Sequence, residues 1–451
     1  MATTSYNHED RRRAPAVTDQ NADEPAARWT ASGMASLTGR ADGPGSGGPV
    51  MLIEAVAAWS EELAVRSAAL GSPVVVDPLG LLAERAAVGG LVRGGRVSCG
   101  GGCRLLPCAD GWVAASVSRA SDWELVAAWL GRRAPVAPGG WAEVAEGVAP
   151  LRSGEVRARA ELMGLPVAVL GERRRHDGRI VGAAARSTGR TDPTHGIHGI
   201  RGRRIRPAHA VDTCADLMVA DLSSLWAGPL VARLLGRAGA RVVKVESTGR
   251  PDGARYGSPL FYGRLNGGKE SVALDFTSPS GRHRLAAVVA AADVVITGSR
   301  PRALEQLGLD IGSLVRNGRP RVWLSITGYG ADRASGQRVA FGDDAAVAGG
   351  LVASDEHGPY FCGDAIADPL SGLASTVAVL AALMSDGAWV IDTSMADVAG
   401  GLAGPPVPMV GRAAPPPARP GRDPVVGPVP PAAARDLGAD TETVLAELRG
   451  G

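Results

Sequence analysis

The feature that most constrains this chain is an alternation of short apolar segments with helical segments between residues 213 and 400. A proline opens the first turn of helical stretches such as Pro229–Ala238, Pro279–Ala291 and Pro301–Leu307, where an N–H has no helical partner. Buried strands that alternate with helices predict parallel βαβ units and an α/β fold. The strand-like segments are Leu217–Asp221, Arg241–Glu246, Ser271–Asp275, Asp293–Thr297, Arg321–Thr327 and Ala388–Asp392.

The segment after the first of these strands lacks the glycine pattern of a dinucleotide site. It reads DLSSLWAGP from Asp221 to Pro229, not G-x-G-x-x-G. An α/β domain without that pattern argues against an ordinary NAD enzyme. A ligand is still expected where strands end and helices begin. We therefore predict a Rossmann-like parallel-sheet domain without a dinucleotide fingerprint at residues 213–404.

The remaining regions differ in composition. Residues 1–28 are polar and charged, which predicts a disordered tail. Residues 29–170 look globular and predict a smaller α+β domain N-terminal to the large one, including a helix at 121–130 capped by Ser121. Residues 171–212 are rich in arginine and glycine, so a solvated linker is favoured over an anion-binding patch. Residues 405–451 predict a Pro/Ala-rich segment and a C-terminal helix.

Composition excludes several classes of protein. With 451 residues, 45% apolar residues and a net charge of +2, the chain is typical of globular proteins. Only two of its 48 basic residues are lysines, which we attribute to GC-rich coding, and we predict no nucleic-acid partner. The chain contains no run of ~18 apolar residues, so we predict no membrane span. The first residues have charges but no apolar core, so we predict that they are not a signal peptide. Five cysteines, an odd number, argue against a disulfide framework and favour a cytoplasmic location.

Two segments carry candidate chemistry. Asp368 precedes the apolar helix Leu373–Leu383, where a carboxylate either caps the helix or attacks a carbonyl or thioester. Gly100–Gly102 form either a plain surface turn or a loop whose N–H groups meet a developing charge. The spacing of Cys99, Cys103 and Cys108 fits no common zinc pattern, and we predict no metal site.

Six stretches in the region from Val219 to about Gly401 resemble, in order, the class III CoA-transferases, which include formyl-CoA transferase, carnitine CoA-transferase and α-methylacyl-CoA racemase. Residues 31–83 and 100–169 resemble parts of the same family out of order. The chain thus looks like a truncated first copy at 29–170 followed by a second copy without most of its small domain. The six stretches are ADLSSLWAGPLVARLLGRAGARVVKVE, RLNGGKESVALDF, ADVVITGSRPRALEQLGL, RVWLSITGYG, GDAIADPLSGLASTVAVLAAL and VIDTSMAD.

The resemblance implies roles for individual residues. Asp368 matches the catalytic aspartate, and the aligned position in the first copy is Ala55, so one site per chain is expected. Gly101 and Gly102 match the glycine loop that covers this aspartate. The positions that match CoA-binding segments are Ser224, Trp226, Ala227, Gly228, Asn266, Lys269 and Arg300, and Lys269 among them would lie near the CoA phosphates.

The resemblance also implies a reaction and its partners. CoA would pass from an acyl-CoA donor to a carboxylic acid acceptor through an aspartyl anhydride and thioester, in a homodimer without a metal. Where the family has a His or Tyr followed by an acidic residue, this chain has Phe341 and Gly342, with Asp343 and Asp344 displaced. The missing His disfavours an α-methylacyl-CoA racemase, and a non-catalytic CoA-binding relative is a third possibility. The two fragments could complete a subunit within one chain or between chains.

Overall fold

The computed structural model describes residues 20–174, 192–332, 335–407, 423–427 and 432–450. Short 3-10 turns occur at Met34–Leu37, Cys214–Asp216 and Gly253–Tyr256. The helices are α1 (Gln20–Ala31), α2 (Val50–Ala69), α3 (Pro78–Gly89), α4 (Ala120–Trp129), α5 (Trp141–Val148), α6 (Ser153–Met163), α7 (Ala227–Arg237), α8 (Pro259–Asn266), α9 (Pro279–Ala291), α10 (Pro301–Gln306), α11 (Ile311–Asn317), α12 (Gly342–Ala348), α13 (Ala367–Leu383), α14 (Met395–Leu402) and α15 (Thr441–Gly450). The strands are β1 (Val75–Val76), β2 (Cys103–Cys108), β3 (Gly111–Ser116), β4 (Val167–Val169), β5 (Ile200–Arg206), β6 (Met218–Leu222), β7 (Arg241–Ser247), β8 (Glu270–Leu274), β9 (Val294–Thr297), β10 (Val322–Thr327), β11 (Val352–Asp355), β12 (Gly358–Phe361), β13 (Ala388–Ser394) and β14 (Val425–Val426).

A seven-stranded sheet in the order β5-β13-β10-β9-β6-β7-β8 forms the centre of the molecule. All of its pairs are parallel except β5 with β13. The central strands β9 and β10 are buried along their whole length, which explains why they are continuous apolar runs in the sequence. The predicted α/β class is confirmed, and the strands predicted from the sequence match β6 to β10 and β13 to within two residues.

The edge strand β5 corrects the prediction of a linker at residues 171–212. Residues 200–206 pair with β13 instead of lying free, although the sequence there is IRGRRIR. Arg201, Arg203 and Arg204 are exposed, and arginines along an edge strand keep it from pairing with another chain. Residues 175–191 of the predicted linker lie outside the described residues.

The antiparallel sheet β2-β3-β4 and helices α4 to α6 pack as one unit within residues 103–169, where the sequence predicts a smaller α+β domain. Its core includes Val126, Trp129, Val144 and Val156. Helix α4 begins one residue earlier than expected, and Ser121 does not cap it. The Arg119 N–H donates to the Asp122 carboxylate at 3.0 Å and closes this helix end.

The N-terminal part packs into the core of the large sheet region. Helix α2 lies against α13, and β1 pairs with β14 outside the large sheet. Glu84 on α3 is buried and forms ion pairs with Arg233 at 2.8 Å and Arg264 at 3.3 Å. Helix α1 includes residues 20–28 of the predicted disordered tail, and its next residue, Trp29, is buried. Residues 1–19 of that tail lie outside the described residues.

Helices of the described ranges are all too short or too polar to cross a membrane. The predicted C-terminal helix is present as α15, which packs against β8 and α9. The rest of the predicted Pro/Ala-rich segment is described only in part, since residues 408–422 and 428–431 lie outside the described residues.

Candidate active site

Asp368 lies in the first turn of α13, surrounded by protein but partly open to solvent. The preceding turn is tight, because Ala365 has φ +43° and accepts the Asp368 N–H at 3.0 Å. Gly342 leaves room for the carboxylate, since a Cβ there would lie 2.3 Å from Asp368 Oδ2. The backbone N–H of Ala227, at the start of α7, donates a hydrogen bond to the same carboxylate. The Asp368 carboxylate therefore lies in the first turn of α13 and also accepts a hydrogen bond from the N-terminus of a second helix, α7.

Arg85, which the sequence analysis missed, brings a cation to this site. Its Nε and Nη2 donate to Asp364 at 2.8 and 2.5 Å, and its guanidinium lies 5.6 Å from the ring centre of Trp226. Its charge also acts on Asp343 and Asp368. The sequence signal for Arg85 is the pair Glu84-Arg85 in the otherwise apolar stretch PLGLLAERAAVG, because charged side chains are rarely buried in a protein unless they are paired.

Several carboxylates share this corner and have altered pKa values. Burial raises the pKa of Asp368 to about 7, while the Arg85 charge opposes the shift and Asp343 adds to it. Burial and the neighbouring Asp364 raise the pKa of Asp343 to about 6. Burial also raises the pKa of Asp344 to about 7, although Ser116 and the Phe341 N–H donate to it. A carboxylate with a pKa near neutrality is poised to gain or lose a proton at working pH.

The glycine loop from the N-terminal region reaches the same corner. The Ser98 hydroxyl donates to Asp343, and Cys99 Sγ donates to the Gly363 carbonyl at 3.5 Å. A Cβ at Gly100 would lie 3.4 Å from Arg85 Nη2. Gly101 is exposed with φ +77°, a conformation that favours glycine, and it has open space around it. Gly101 and Gly102 thus lie in a loop that contacts the surroundings of Asp368.

The predicted CoA loop lies between β6 and α7. Ser224 is exposed, while Trp226, Ala227 and Gly228 are buried. Trp226 packs edge-on against Phe261 at 5.1 Å and beneath Arg85. Gly228 is required by a close approach, because a Cβ there would lie 2.3 Å from the Ser223 side chain. Of the predicted residues, the structure therefore brings this loop, the glycine loop and Asp368 together.

Lys269 and Asn266 are placed differently from the expectation. Both side chains are buried, and Lys269 Nζ donates to Asp221 Oδ2 at 2.8 Å and to Asn266 Oδ1 and the Pro229 carbonyl at 3.0 Å each. Burial lowers the pKa of Lys269 to about 8, although Asp221 opposes the shift. With three donors committed inside the protein, the ammonium does not face a ligand phosphate in this structure.

Arg300 lies at another part of the sheet edge. It is exposed, and its Nη1 donates to the Gln337 carbonyl at 3.4 Å. Together with Arg119 and Arg302 it lines a cleft of about 470 Å³ between α4, α6 and α10. Asp368 is not among the lining residues. The two regions are linked through Phe341, which lies under Arg119 at 5.6 Å and next to Gly342.

Comparisons with known proteins match part of this chain. Residues 214–432 match the family described as CoA-transferase family III. A succinyl-CoA:glutarate CoA-transferase of Homo sapiens is 29% identical over 193 residues, covering 41% of this chain and 44% of that protein. A probable fatty acyl-CoA transferase of Mycobacterium tuberculosis is 31% identical over 212 residues, covering 44% and 53%. A crystal structure of a CAIB/BAIF family protein from Brucella suis is 30% identical with a TM-score of 0.39, covering 42% and 55%.

The family match includes Asp368 and the loop before α7, but not Arg85 or the glycine loop. The chain spans about half the length of the curated relatives it matches. The matched region carries the resemblance found in the sequence, in the same order along the chain. Residues 214–432, just under half of the chain, match the class III CoA-transferase family.

Proposed function

We propose that this chain transfers CoA from an acyl-CoA to a carboxylic acid, with Asp368 as the nucleophile. The observation that carries the proposal is the set of groups around the Asp368 carboxylate. These are the Ala227 N–H and the Arg85 guanidinium, and the glycine loop lies next to Arg85. A partly open carboxylate next to positive groups can attack a carbonyl and then stabilise the charge that develops.

The proposed reaction proceeds by exchange at three carbonyl carbons, those of the donor, of Asp368 and of the acceptor. Asp368 attacks the thioester carbonyl, the C–S bond breaks, and CoA thiolate leaves a mixed anhydride. The thiolate then attacks the Asp368 carbonyl, which expels the donor carboxylate and forms an aspartyl-CoA thioester. The acceptor carboxylate attacks that thioester and forms a second anhydride, from which the thiolate takes the acceptor acyl group and frees Asp368. No proton is consumed in the cycle, since each step exchanges one anion for another.

The residues near Asp368 have complementary roles in this scheme. The Arg85 charge favours the ionised form of Asp368 and offsets the carboxylates that would repel an incoming anion. The glycine loop covers the anhydride, which water would otherwise hydrolyse. The Gly102 N–H would face a tetrahedral oxyanion, since the Gly101 N–H donates to the Ser98 carbonyl at 2.8 Å. Trp226, beneath Arg85, gives the site an apolar wall.

The names of the relatives suggest the first substrates to try. Several relatives are named for the transfer of CoA between succinate and another dicarboxylic acid, such as glutarate or citramalate. We therefore include short dicarboxylic acids in the proposal, as donor acid and as acceptor. Assembly as a homodimer is also proposed, and light scattering of the purified chain tests it.

The test is a CoA-exchange screen combined with trapping of the intermediate. Purified protein is incubated with succinyl-CoA and a panel of acids led by glutarate, and new CoA esters are identified by mass. Hydroxylamine added with the donor should convert Asp368 to a hydroxamate, which peptide mass spectrometry locates. Transfer that survives Asp368→Ala would contradict the proposal. Tight CoA binding without transfer to any acid would instead indicate a non-catalytic relative.

One observation supports racemisation as a second candidate. Asp343 and Asp368 lie in one corner and both have a pKa between about 6 and 7, so the pair could hold and accept a proton. Deuterium incorporation at Cα of an α-methylacyl-CoA, without acyl exchange, would favour this candidate. Exchange without deuterium incorporation would exclude it.

A further inference from the structure

Both lysines of this chain lie in one place. Every other basic residue among the 48 is arginine. Lys244, on β7, is 1% exposed, and Lys269, directly before β8, is 4% exposed. A buried ammonium is costly unless it is paired, so its position requires partners that use its charge and its donors.

Both ammonium groups hold the backbone between Ser223 and Pro229. Lys244 Nζ donates to the Ser223 carbonyl at 3.0 Å and lies 2.9 Å from Asp252 Oδ2. Lys269 Nζ donates to the Pro229 carbonyl at 3.0 Å while pairing with Asp221. These carbonyls stand at the two ends of the loop that precedes and enters α7. The loop is therefore clamped at both ends, while Ser224 and Leu225 between them are exposed.

The clamped loop is strained at its tip. Leu225 has φ +69°, in the left-handed region where a residue with a side chain is unfavourable. Its N–H donates at 3.0 Å to Asp252, the carboxylate that pairs with Lys244. Such a conformation persists only when the surroundings fix it. Lys244 and Asp252 together provide that restraint.

An ammonium suits this arrangement better than a guanidinium does. Lysine presents three donors from one nitrogen, whereas arginine spreads five donors over a planar fork. The three acceptors of Lys269 converge on one atom at 2.8 to 3.0 Å. A planar fork would have to displace at least one of them. Geometry therefore explains why an arginine-rich chain has lysine at position 269.

We propose that Lys244 and Lys269 are positioning residues, which hold the loop 223–229 so that the Ala227 N–H points at the Asp368 carboxylate. This assignment rests on the proposed role of Asp368 as nucleophile. For Lys269 it takes the place of the expected contact with CoA phosphates, because its donors are committed to the loop and to its neighbours. Loss of either lysine should therefore lower kcat by a larger factor than it weakens CoA binding, and should leave the preference for CoA over dephospho-CoA unchanged.

The experiment compares Lys244→Met, Lys269→Met and the two Lys→Arg variants with wild type. Measured are kcat for exchange between succinyl-CoA and glutarate, and Kd for CoA and for dephospho-CoA. We expect kcat to fall about tenfold or more, Kd to change less than about threefold, and the CoA to dephospho-CoA ratio to stay constant. Arginine should not restore kcat. The control Arg284→Met removes an exposed arginine on α9 and should match wild type.

A loss of CoA affinity as large as the loss of kcat would overturn the proposal, as would a collapse of the ratio toward one. If a methionine variant does not fold, Asp252→Asn probes the same restraint, because it keeps an acceptor for the Leu225 N–H and removes the charge opposite Lys244. It should lower kcat by a smaller factor at constant Kd, and an unchanged kcat would overturn the proposal.

A second readout separates this inference from the proposed function. Wild-type protein that transfers CoA to no acid would contradict the proposed function alone. Hydrogen exchange of the amides at 223–228 then decides the inference, since the methionine variants should exchange about tenfold faster there than wild type. Unchanged exchange in this loop would overturn the clamp.

Discussion

The helices α2 and α13, which the sequence pairs as two copies of one segment, pack against each other but carry different chemistry. In α13 the first turn holds Asp368, whereas in α2 the aligned residue is buried Ala55 and its neighbour Glu54 is exposed. The strand after α13 lies within the large sheet, while β1, after α2, pairs only with β14.

The next helix shows what the first copy provides instead. Helix α3 is anchored by Glu84 to Arg233 of α7, and the adjacent Arg85 reaches the carboxylates around Asp368. The N-terminal region thus has no acidic residue at the position aligned with Asp368, and it places the Arg85 cation and the glycine loop near the candidate site. The difference teaches that the region matched to the family contains only part of the candidate site.

The strongest test of the comparison replaces the acidic residue of each helix by its amide. Asp368→Asn should lower transfer on the order of 10³-fold or more, because an amide cannot form the anhydride. The control Glu54→Gln neutralises the acidic residue of α2 and should leave the rate at the wild-type value. Both rates are measured as CoA exchange by mass. Equal effects of the two changes would contradict the assignment of a single site.

Arg85 is the next largest contribution that we expect. Arg85→Gln should lower the rate about 100-fold, the order found when a group that stabilises developing charge is removed. Because the Arg85 charge lowers the pKa of Asp368, its loss should also move the acid limb of the pH–rate profile upward from about 7. The rate rises with pH through this limb, since only the ionised carboxylate attacks. A pH–rate profile of the variant measures both effects.

A second variant distinguishes the chemical role of Arg85 from a structural one. Arg85→Gln leaves buried Asp364 without its bidentate partner, which costs roughly 3 to 5 kcal/mol of stability. Adding Asp364→Asn removes that charge and should recover most of the free energy of unfolding in urea. The rate should remain low in the double variant. A rate that recovers with stability would show that Arg85 acts only on folding.

Features of the structure that depend on residues close together in the sequence could be predicted, whereas those that depend on distant residues could not. The strands β6 to β10 were predictable because each is a local apolar run, and Asp368 because its local motif is specific. The edge strand β5 could not be predicted, because its arginines at 201, 203 and 204 are typical of a solvated linker and only the pairing with β13 makes the segment a strand. Arg85 was missed for a similar reason, because its partner Asp364 lies about 280 residues away in the chain. Lys269 was expected at the CoA phosphates, but it is buried against Asp221, about 50 residues away.

The glycine loop should make a smaller contribution. Gly101→Ala places a side chain at φ +77° with open space around it, which costs roughly 1 to 2 kcal/mol of backbone strain. Gly308 is a matched control, because its φ is +78° and nothing lies near its Cβ position. Both variants should lose similar stability, but only Gly101→Ala should slow transfer, by a few-fold. Equal rates in the two would leave the loop as a plain surface turn.

The smallest expected effect concerns stability where the two parts of the chain meet. Ser116 of β3 donates to buried Asp344 of α12 at 2.6 Å, and burial raises the pKa of Asp344 to about 7. Its unfolded pKa is about 3.9, so the folded state prefers the protonated form, and stability falls as pH rises from about 4 to 7. Asp344→Asn removes this loss, and its stability relative to wild type should improve between pH 5 and 8 in urea unfolding.

Exposed Asp275 provides the control of opposite sign. Hydrogen bonds from Thr277, opposed by desolvation, lower the pKa of Asp275, so its contribution to stability is present above its unfolded pKa and is lost as pH falls. Asp275→Asn should therefore make the protein less stable than wild type at both pH 5 and pH 8, with no gain as pH rises. An Asp344→Asn variant that behaved in the same way would show that Asp344 is charged in the folded protein. The Ser116 hydroxyl would then donate to a carboxylate anion, and this contribution to stability would be lost as pH falls.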